Sequence, residues 1–374
     1  MSTLVEEYFS INEKTSHSEI SKISVAYLLQ FDDDSEPLTA NMLCSMPLAQ
    51  YAAKHWIGHA KSGGMDSMVL QLILHLFTSE SAQLKNWIQI QNIDERHGDN
   101  MNLSMNGAKV CSALYYSSLV GLEEVSDCLL RKGENANTEG GRYGNALQAA
   151  SYEGYKAIVK LLLENEAEVN AKGGEYGNAL QAASYKGNEA IVKLLLEYGA
   201  EVNAQVERYG NALQAASIRG NEEIVKLLLE NGAEVNAKGG EYGNALQAAS
   251  HSSNVAIVKL LLENGAEVNG KGGLYGNPLQ TASYWANEAI VKLLLESGAE
   301  VNAEGERYGN ALQAASIRGN EAIVKLLLEN GAEVNAKGGE YGNALQAASY
   351  RGNEAIVKLL LENGAAHIVK DHTP

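Results

Sequence analysis

The sequence predicts an all-α fold: a solenoid of helix–turn–helix units preceded by a small helical domain. Three observations carry the prediction. The string Tyr-Gly-Asn starts at Tyr143, Tyr176, Tyr209, Tyr242, Tyr275, Tyr308 and Tyr341, always 33 residues apart, and a fixed period of this size marks a stacked array. Every unit contains two short apolar segments of helical period, parted near a Gly-Asn break. Over the first hundred residues the period is absent and the helical patterns are longer.

Taken in order, residues 1–15 form an N-terminal tail and residues 16–100 a helical domain, with helices expected over 17–29, 47–60, 64–77 and 81–90. An acidic turn at 32–37 separates the first two, and Trp56 and Trp87 are expected inside. Residues 101–142 hold a degenerate first repeat, because Ala113-Leu114, Gly121, Leu129-Leu130 and Asn137 lie one period before Ala146-Leu147, Gly154, Leu162-Leu163 and Asn170. Seven clear repeats fill 143–365, and 366–374 form a C-terminal tail.

In the unit from Tyr176 to Arg208, the Asn178 side chain is placed to cap a short helix running from Ala179 to Tyr185. The fifth clear copy supports this with Pro278 at the next position, where a first-turn residue needs no amide donor. Leu180 and Ala183 share a face, and Ala179, Ala182 and Ala183 let a neighbouring helix approach. Gly187-Asn188 breaks the chain, with Asn188 expected to cap a second helix from Glu189 to Glu197. Its Ile191, Val192, Leu194, Leu195 and Leu196 form an apolar stripe. Glu189 and Lys193 make an i,i+4 pair on the wet face, worth ~0.3 kcal/mol. Gly199 suits the left-handed residue that ends a helix, and Val202-Asn203-Ala204 leads into a turn-rich finger.

This unit resembles the ankyrin repeat in its length, its apolar helix ending in Val-Lys-Leu-Leu-Leu and its Gly-Ala-Glu-Val-Asn-Ala tail, over about residues 110–365. The resemblance implies an ankyrin-repeat α-solenoid that binds proteins through the groove its repeats line. Where the family has Thr-Pro-Leu-His, this chain has Asn-Ala-Leu-Gln, as at Asn178 to Gln181. The asparagine cap and the glutamine amide must then supply the hydrogen bonds of the family's threonine and histidine. Glu166 replaces a closing glycine, and Ser253 and Ala286 replace the glycine between the helices. A left-handed side-chain residue costs about 1 kcal/mol, so local opening is expected to begin at these joints. Residues 208–250 and 307–349 differ only at Glu223 against Ala322, which reads as a block duplication.

The first hundred residues resemble the helical linker of fungal NACHT-ankyrin proteins, which are NLR-like in architecture. The segments that carry the likeness are Tyr27-Leu28-Leu29-Gln30-Phe31-Asp32, Pro47-Leu48-Ala49-Gln50-Tyr51-Ala52-Ala53-Lys54-His55-Trp56 and Asn86-Trp87. In such proteins the linker follows a nucleotide-binding switch domain and the repeats sense a ligand. The sequence begins without that switch, so it is expected to be either a stand-alone sensor or adaptor, or the sensor arm of a nucleotide hydrolase whose upstream part is missing.

At 374 residues with 45% hydrophobic content, the chain can bury a sizeable core. Its start carries Glu6 and Glu7 and no basic-then-apolar run, so no secretory signal is read. The longest apolar stretch, Met68 to Phe77, is about half the length that spans a bilayer. Cys44, Cys111 and Cys128 are too scattered for a disulfide framework or paired metal ligands, and reduced thiols in the cytoplasm are expected. The Asn102-Leu103-Ser104 sequon is accordingly read as chance. A formal charge of -17 is repelled by phosphate backbones, which argues against nucleic acid. The expectation is a monomer with a protein partner, no nucleic acid, no membrane, no cofactor and no metal.

Three patterns hint at chemistry, and each has a plainer reading. Gly265 to Gly272 satisfy G-x-x-x-x-G-K, but glycine stands where a magnesium-binding Ser or Thr is required, and the sister copies mark the segment as a finger. His55 and His59 have the i,i+4 spacing of zinc ligands, yet Trp56 replaces the general-base glutamate and the sequence offers no evident third ligand. Carboxylate pairs recur in every repeat, as surface charges do, whereas a tuned acid and base would occur once. The chain is read as no enzyme.

The informative positions vary while the unit stays fixed. One set closes the first helix: Tyr152-Glu153, Tyr185-Lys186, Ile218-Arg219, His251-Ser252, Tyr284-Trp285, Ile317-Arg318 and Tyr350-Arg351. The other precedes Tyr-Gly-Asn: Arg142, Glu175, Arg208, Glu241, Leu274, Arg307 and Glu340. Stacking is expected to bring each set into a row. All members except Glu175, Glu241, Ser252, Ile317 and Glu340 are candidate contact residues, since Tyr, Trp and Arg most often carry interface energy. Packing is the alternative reading for the tyrosines. Trp285 ranks first, a large aromatic where sister copies are charged or polar. In the last unit Ile356, Val357, Leu360 and Leu361 match internal copies, so fraying or a folded-over tail is expected.

Overall fold

Asparagine side chains start the helices of the array, and the computed structural model shows how the rest follows. It describes residues 12–31, 38–78, 81–91, 93–94, 110–206, 208–305 and 307–366. The acidic turn at 32–37, the sequon at 102–104, residues 1–11 of the first tail and 367–374 of the last lie outside the described residues. The described part is all-helical with no strands, its only β-type pairings being isolated bridges in the fingers. Among the described residues no helix is long and apolar enough to cross a membrane. The chain divides into two compact units, residues 1–175 and 176–374.

The first unit opens with α1 (Glu13–Leu28), α2 (Ala40–Ser45), α3 (Ala49–Gly63), α4 (Ser67–Leu76) and α5 (Ala82–Ile90). The sequence reading missed α2, a six-residue helix capped by Thr39, which accepts from the Met42 N–H. It also started the fourth helix too early. The Asp66 side chain accepts from the Met68 and Val69 amides, so the helix begins at Ser67 and the residues before it are a connection. The Val69 amide, then Lys22 and Ser18, hold the Asp66 carboxyl down at about 2. Trp56 and Trp87 are fully buried, edge-on at 5.4 Å, with Phe77 at 6.2 and 5.4 Å from them. The Trp87 indole N–H donates to the Ala53 carbonyl at 3.0 Å.

Two repeats complete the first unit: α6 (Ala113–Leu119) with α7 (Glu123–Arg131), and α8 (Ala146–Glu153) with α9 (Lys156–Glu164). α4 packs on α7. Asp94 ties the helical domain to the degenerate repeat, accepting from the Tyr115 hydroxyl and from the Arg142 N–H at 2.9 Å.

The second unit stacks α10 (Ala179–Lys186) and α11 (Glu189–Glu197), α12 (Ala212–Arg219) and α13 (Glu222–Glu230), α14 (Ala245–His251) and α15 (Val255–Glu263). It continues with α16 (Pro278–Tyr284) and α17 (Glu288–Glu296), α18 (Ala311–Arg318) and α19 (Glu321–Glu329), α20 (Ala344–Tyr350) and α21 (Glu354–Glu362). Asn178, Asn211, Asn244, Asn277, Asn310 and Asn343 each accept from the backbone of the glutamine three residues on, and Pro278 takes the first helical position of α16. Alanines such as Ala182, Ala215 and Ala248 are fully buried, which lets each first helix lie close against the next.

The glutamine amide then ties each helix to the following finger. Gln214 Nε2 donates to the carbonyls of Ala237, Gly239 and Gly243 at 3.1, 3.3 and 3.1 Å, while its Oε1 accepts from the Asn211 N–H at 2.8 Å. Gly210, at φ +71°, gives this amide its room, because a Cβ there would sit 1.3 Å from Oε1.

Asn188 departs from expectation. It occupies the N-cap position of α11 without a side-chain cap bond. Its counterparts show a competing use, as Asn221, Asn287 and Asn353 donate to the carbonyls of Ser184, Ser250 and Ser316 in the preceding repeat. The three joints that lack glycine do adopt left-handed backbone, with φ 62° at Glu166, 63° at Ser253 and 62° at Ala286.

Candidate functional site

The residue before each Tyr-Gly-Asn lies at a finger tip, and backbone hydrogen bonds join neighbouring tips. Glu175 N–H donates to Arg142 O at 2.8 Å in the first unit. In the second, Glu241 donates to Arg208, Leu274 to Glu241 and Glu340 to Arg307, at 2.9, 2.9 and 3.0 Å. The side chains pair along this ladder: Arg142 with Glu175 at 2.6 Å, and Arg208 with Glu241 and Arg307 with Glu340 at 3.8 Å each. The finger arginines thus already hold carboxylates. Leu274 interrupts the charge alternation, 50% exposed, beside a cleft of about 610 Å³ that Lys271, Glu304 and Arg307 also line.

The residues closing the first helices meet the tyrosines of Tyr-Gly-Asn. In the first unit Tyr152 lies 4.8 Å from Tyr143, and Glu153 is half-buried beside it. In the second unit Tyr185 sits between Tyr176 and Tyr209, at 5.0 and 4.7 Å, and those two stack at 5.4 Å. Tyr284 repeats the arrangement with Tyr275 and Tyr308, at 5.4 and 4.3 Å. Ile218 is half-buried, Ile317 buried and Tyr350 73% exposed.

His251 and Trp285 form the centre of this wall, with ring centroids 4.3 Å apart, and Tyr275 lies 5.9 Å from each. Trp285 is half-buried against these rings, so part of its surface serves the fold. Burial lowers the pKa of His251, favouring the neutral ring, and raises that of Tyr242 and Tyr275. The position after each of these helix-closing residues is the outermost: Lys186, Arg219, Arg318 and Arg351 are exposed. Arg219 lies over the Tyr185 ring at 4.9 Å, and Arg318 over Tyr284 and Trp285 at 5.0 and 5.6 Å.

Sequence reasoning treated the tyrosines of Tyr-Gly-Asn as scaffold, although they build half of the wall. The signal was the spacing: an aromatic nine residues before another, as in Tyr176 and Tyr185 or Tyr275 and Tyr284, recurs wherever the rings touch.

Elsewhere, the G-x-x-x-x-G-K segment follows helix α15 and belongs to a finger closed by the Gly272–Gly276 bridge, which is not the strand-to-helix setting of a phosphate loop. A third histidine does approach the His55–His59 pair. His17 Nδ1 lies 2.7 Å from His59 Nδ1, a direct hydrogen bond. Two nitrogens on a tetrahedral zinc at ~2.0–2.1 Å would stand about 3.4 Å apart. Among the described residues no group of three or more His, Cys, Asp or Glu side chains is arranged to hold a metal ion.

Comparison with known proteins agrees with this geometry. A family model described as ankyrin repeats in three copies matches residues 173–239, 238–305 and 303–371, and one described as ankyrin repeats in many copies matches 147–196. Among solved structures, the human ASB11 ankyrin repeat domain aligns with a TM-score of 0.52 at 29% identity, covering 59% of this chain and 99% of that one. The azaphilone pigments biosynthesis cluster protein L of Monascus ruber is 35% identical over 131 residues, 33% of this chain and 27% of that protein. The alignment thus spans little more than a quarter of that relative's length.

Proposed function

The chain belongs to the ankyrin-repeat family, and from that premise we propose that it is a non-catalytic interaction module binding a protein partner at the aromatic wall and its basic edge. Ankyrin repeats are generally protein-interaction modules, and their fold is typically non-catalytic. The observation that carries the proposal is the clustering of varied residues. His251, Tyr284 and Trp285 touch one another or shared rings, while Arg219 and Arg318 lie over aromatic faces instead of pairing with the acids of this acidic chain. Aromatic and arginine side chains are those that dominate binding energy at interfaces. The module acts as a recognition sensor or adaptor, as a monomer in the cytoplasm. Arg142, Tyr152 and Glu153 are the corresponding contact residues of the first unit; Lys186, Arg208, Ile218, Leu274, Arg307, Tyr350 and Arg351 complete the set in the second.

The test is capture from a native extract, comparing the wild-type chain with a Tyr152→Ala, Tyr185→Ala, Trp285→Ala, Tyr350→Ala variant whose helical signal is intact. A protein held by the first and lost by the second identifies the partner. Identical captures would place binding elsewhere and remove the assignment. A second reading, the sensor arm of an NLR-like nucleotide hydrolase, is supported by the linker-like segments around Tyr27, Pro47 and Asn86. An in-frame phosphate-binding loop upstream in the natural transcript would favour it; a stop codon there would end it.

A further inference from the structure

We infer that the groove of the second unit selects an acidic peptide segment in which an apolar anchor is flanked on both sides by Asp or Glu. The inference rests on the binding reading above and specifies its partner. The chain carries a formal charge of -17, so a solvent-facing basic row runs against its average. Along the outermost positions of the wall the order is Lys186, Arg219, Ser252, Trp285, Arg318, Arg351, with no carboxylate in the series.

The arginines divide sharply by location. Arg131, Arg142, Arg208 and Arg307 each pair with a carboxylate, of Asp127, Glu175, Glu241 and Glu340. Arg219, Arg318 and Arg351 are exposed and have no carboxylate partner among the described residues. Two of these three are held by ring faces. A guanidinium lying over Tyr185, or over Tyr284 and Trp285, keeps its charge and its planar fork while losing rotational freedom. Its N–H edge then remains for a bidentate acceptor, and a carboxylate is the side-chain group that matches that fork.

The spacing supplies the pattern. Arg219 and Arg318 are three repeats apart, and between them lie His251 and Trp285 in ring contact, with exposed Leu274 at the finger tip of the same repeat as Trp285. Cation, aromatic centre, cation on the protein calls for acid, apolar anchor, acid on the ligand. The alternating ion pairs of the finger ladder frame this row without competing for it, because each finger arginine already has its own glutamate.

The experiment is selection of a random peptide display library on the full chain, followed by affinity measurement of recovered peptides against Arg219→Glu/Arg318→Glu, Arg219→Lys/Arg318→Lys and Trp285→Ala variants of unchanged melting temperature. Expected are sequences with Asp or Glu on both sides of an aromatic or aliphatic residue. Their affinity should fall about tenfold or more on charge reversal, fall less with lysine and weaken with salt. Peptides with neutral or basic flanks that are lost only with Trp285→Ala would overturn the acidic class and keep the groove. Peptides indifferent to all three variants would remove both. Recovery of no peptide would end the peptide inference while leaving a folded partner for the groove. Equal retention of a single-stranded DNA oligonucleotide, with the same arginine dependence, would replace peptide recognition by general polyanion binding.

Discussion

The helical domain before residue 95 and the repeat array hold helices together by different means. In the domain, three large rings, Trp56, Phe77 and Trp87, meet at one point and every helix depends on it. In the array, small alanines, aliphatic stripes and glutamine ties repeat, and each repeat contacts its neighbours. A concentrated core transmits damage to the whole domain, whereas nearest-neighbour coupling confines it. Variation in surface chemistry is therefore tolerated in the array, where the varied wall is found.

The strongest way to break this comparison is Trp87→Ala. Loss of a buried tryptophan typically costs about 3–5 kcal/mol, and here it also removes the donor to the Ala53 carbonyl. Amide exchange should collapse across residues 49–90 and stay protected in α14 to α19. Simultaneous loss in both regions would show that the array does not fold independently of that core.

Within the array, Gln214→Ala leaves the carbonyls of Ala237, Gly239 and Gly243 without their shared donor. Unsatisfied buried groups cost about 1–3 kcal/mol, and the effect should be local. Faster exchange at Gly239 and its neighbours, with protection kept around Gly338, is expected; equal acceleration at both would argue for global coupling.

The repeats were legible because one sequence is written many times, so caps, joints and stripe could be read from any copy. The left-handed joints follow directly, since Ser253 and Ala286 stand where sister copies have glycine. The wall was half legible. Variation pointed to Tyr185, Tyr284 and Trp285, but the invariant tyrosines they touch carry no variation to notice. Nor does any single copy show that Asn221 spends its amide on Ser184 of the preceding repeat instead of on its own cap. Contacts in the helical domain, such as His17 with His59, span 42 residues with no period to expose them.

Ala286→Gly and Ser253→Gly should each stabilise the array by about 1 kcal/mol, the usual penalty of a left-handed side-chain residue. Urea unfolding checks this. An unchanged midpoint would mean that contacts made by these side chains, such as Ser253 to Asn287, offset the strain.

The smallest expected effect separates the two regions by pH. His59 donates to or accepts from His17 at 2.7 Å and meets the Tyr51 hydroxyl at 3.1 Å. Burial, then the charges of His17 and His55, lower its pKa in the folded chain. An unfolded histidine titrates near about 6.5, so below that value the unfolded state binds more protons and stability falls with pH until the folded group also titrates. Glu13, 3.8 Å from His17 Nε2, lies on the side of the pair where a first proton is best tolerated. Asp66, held near 2, stays ionised and adds nothing in this window. His251 obeys the same sign in the array, through burial alone. The melting transition of the helical domain should therefore lose its slope below pH about 6.5 with His59→Gln, and that of the array with His251→Tyr, the residue of sister copies. If either substitution flattened both slopes, the two histidines would be reporting one cooperative unit, and the contrast between concentrated and distributed cores would fail.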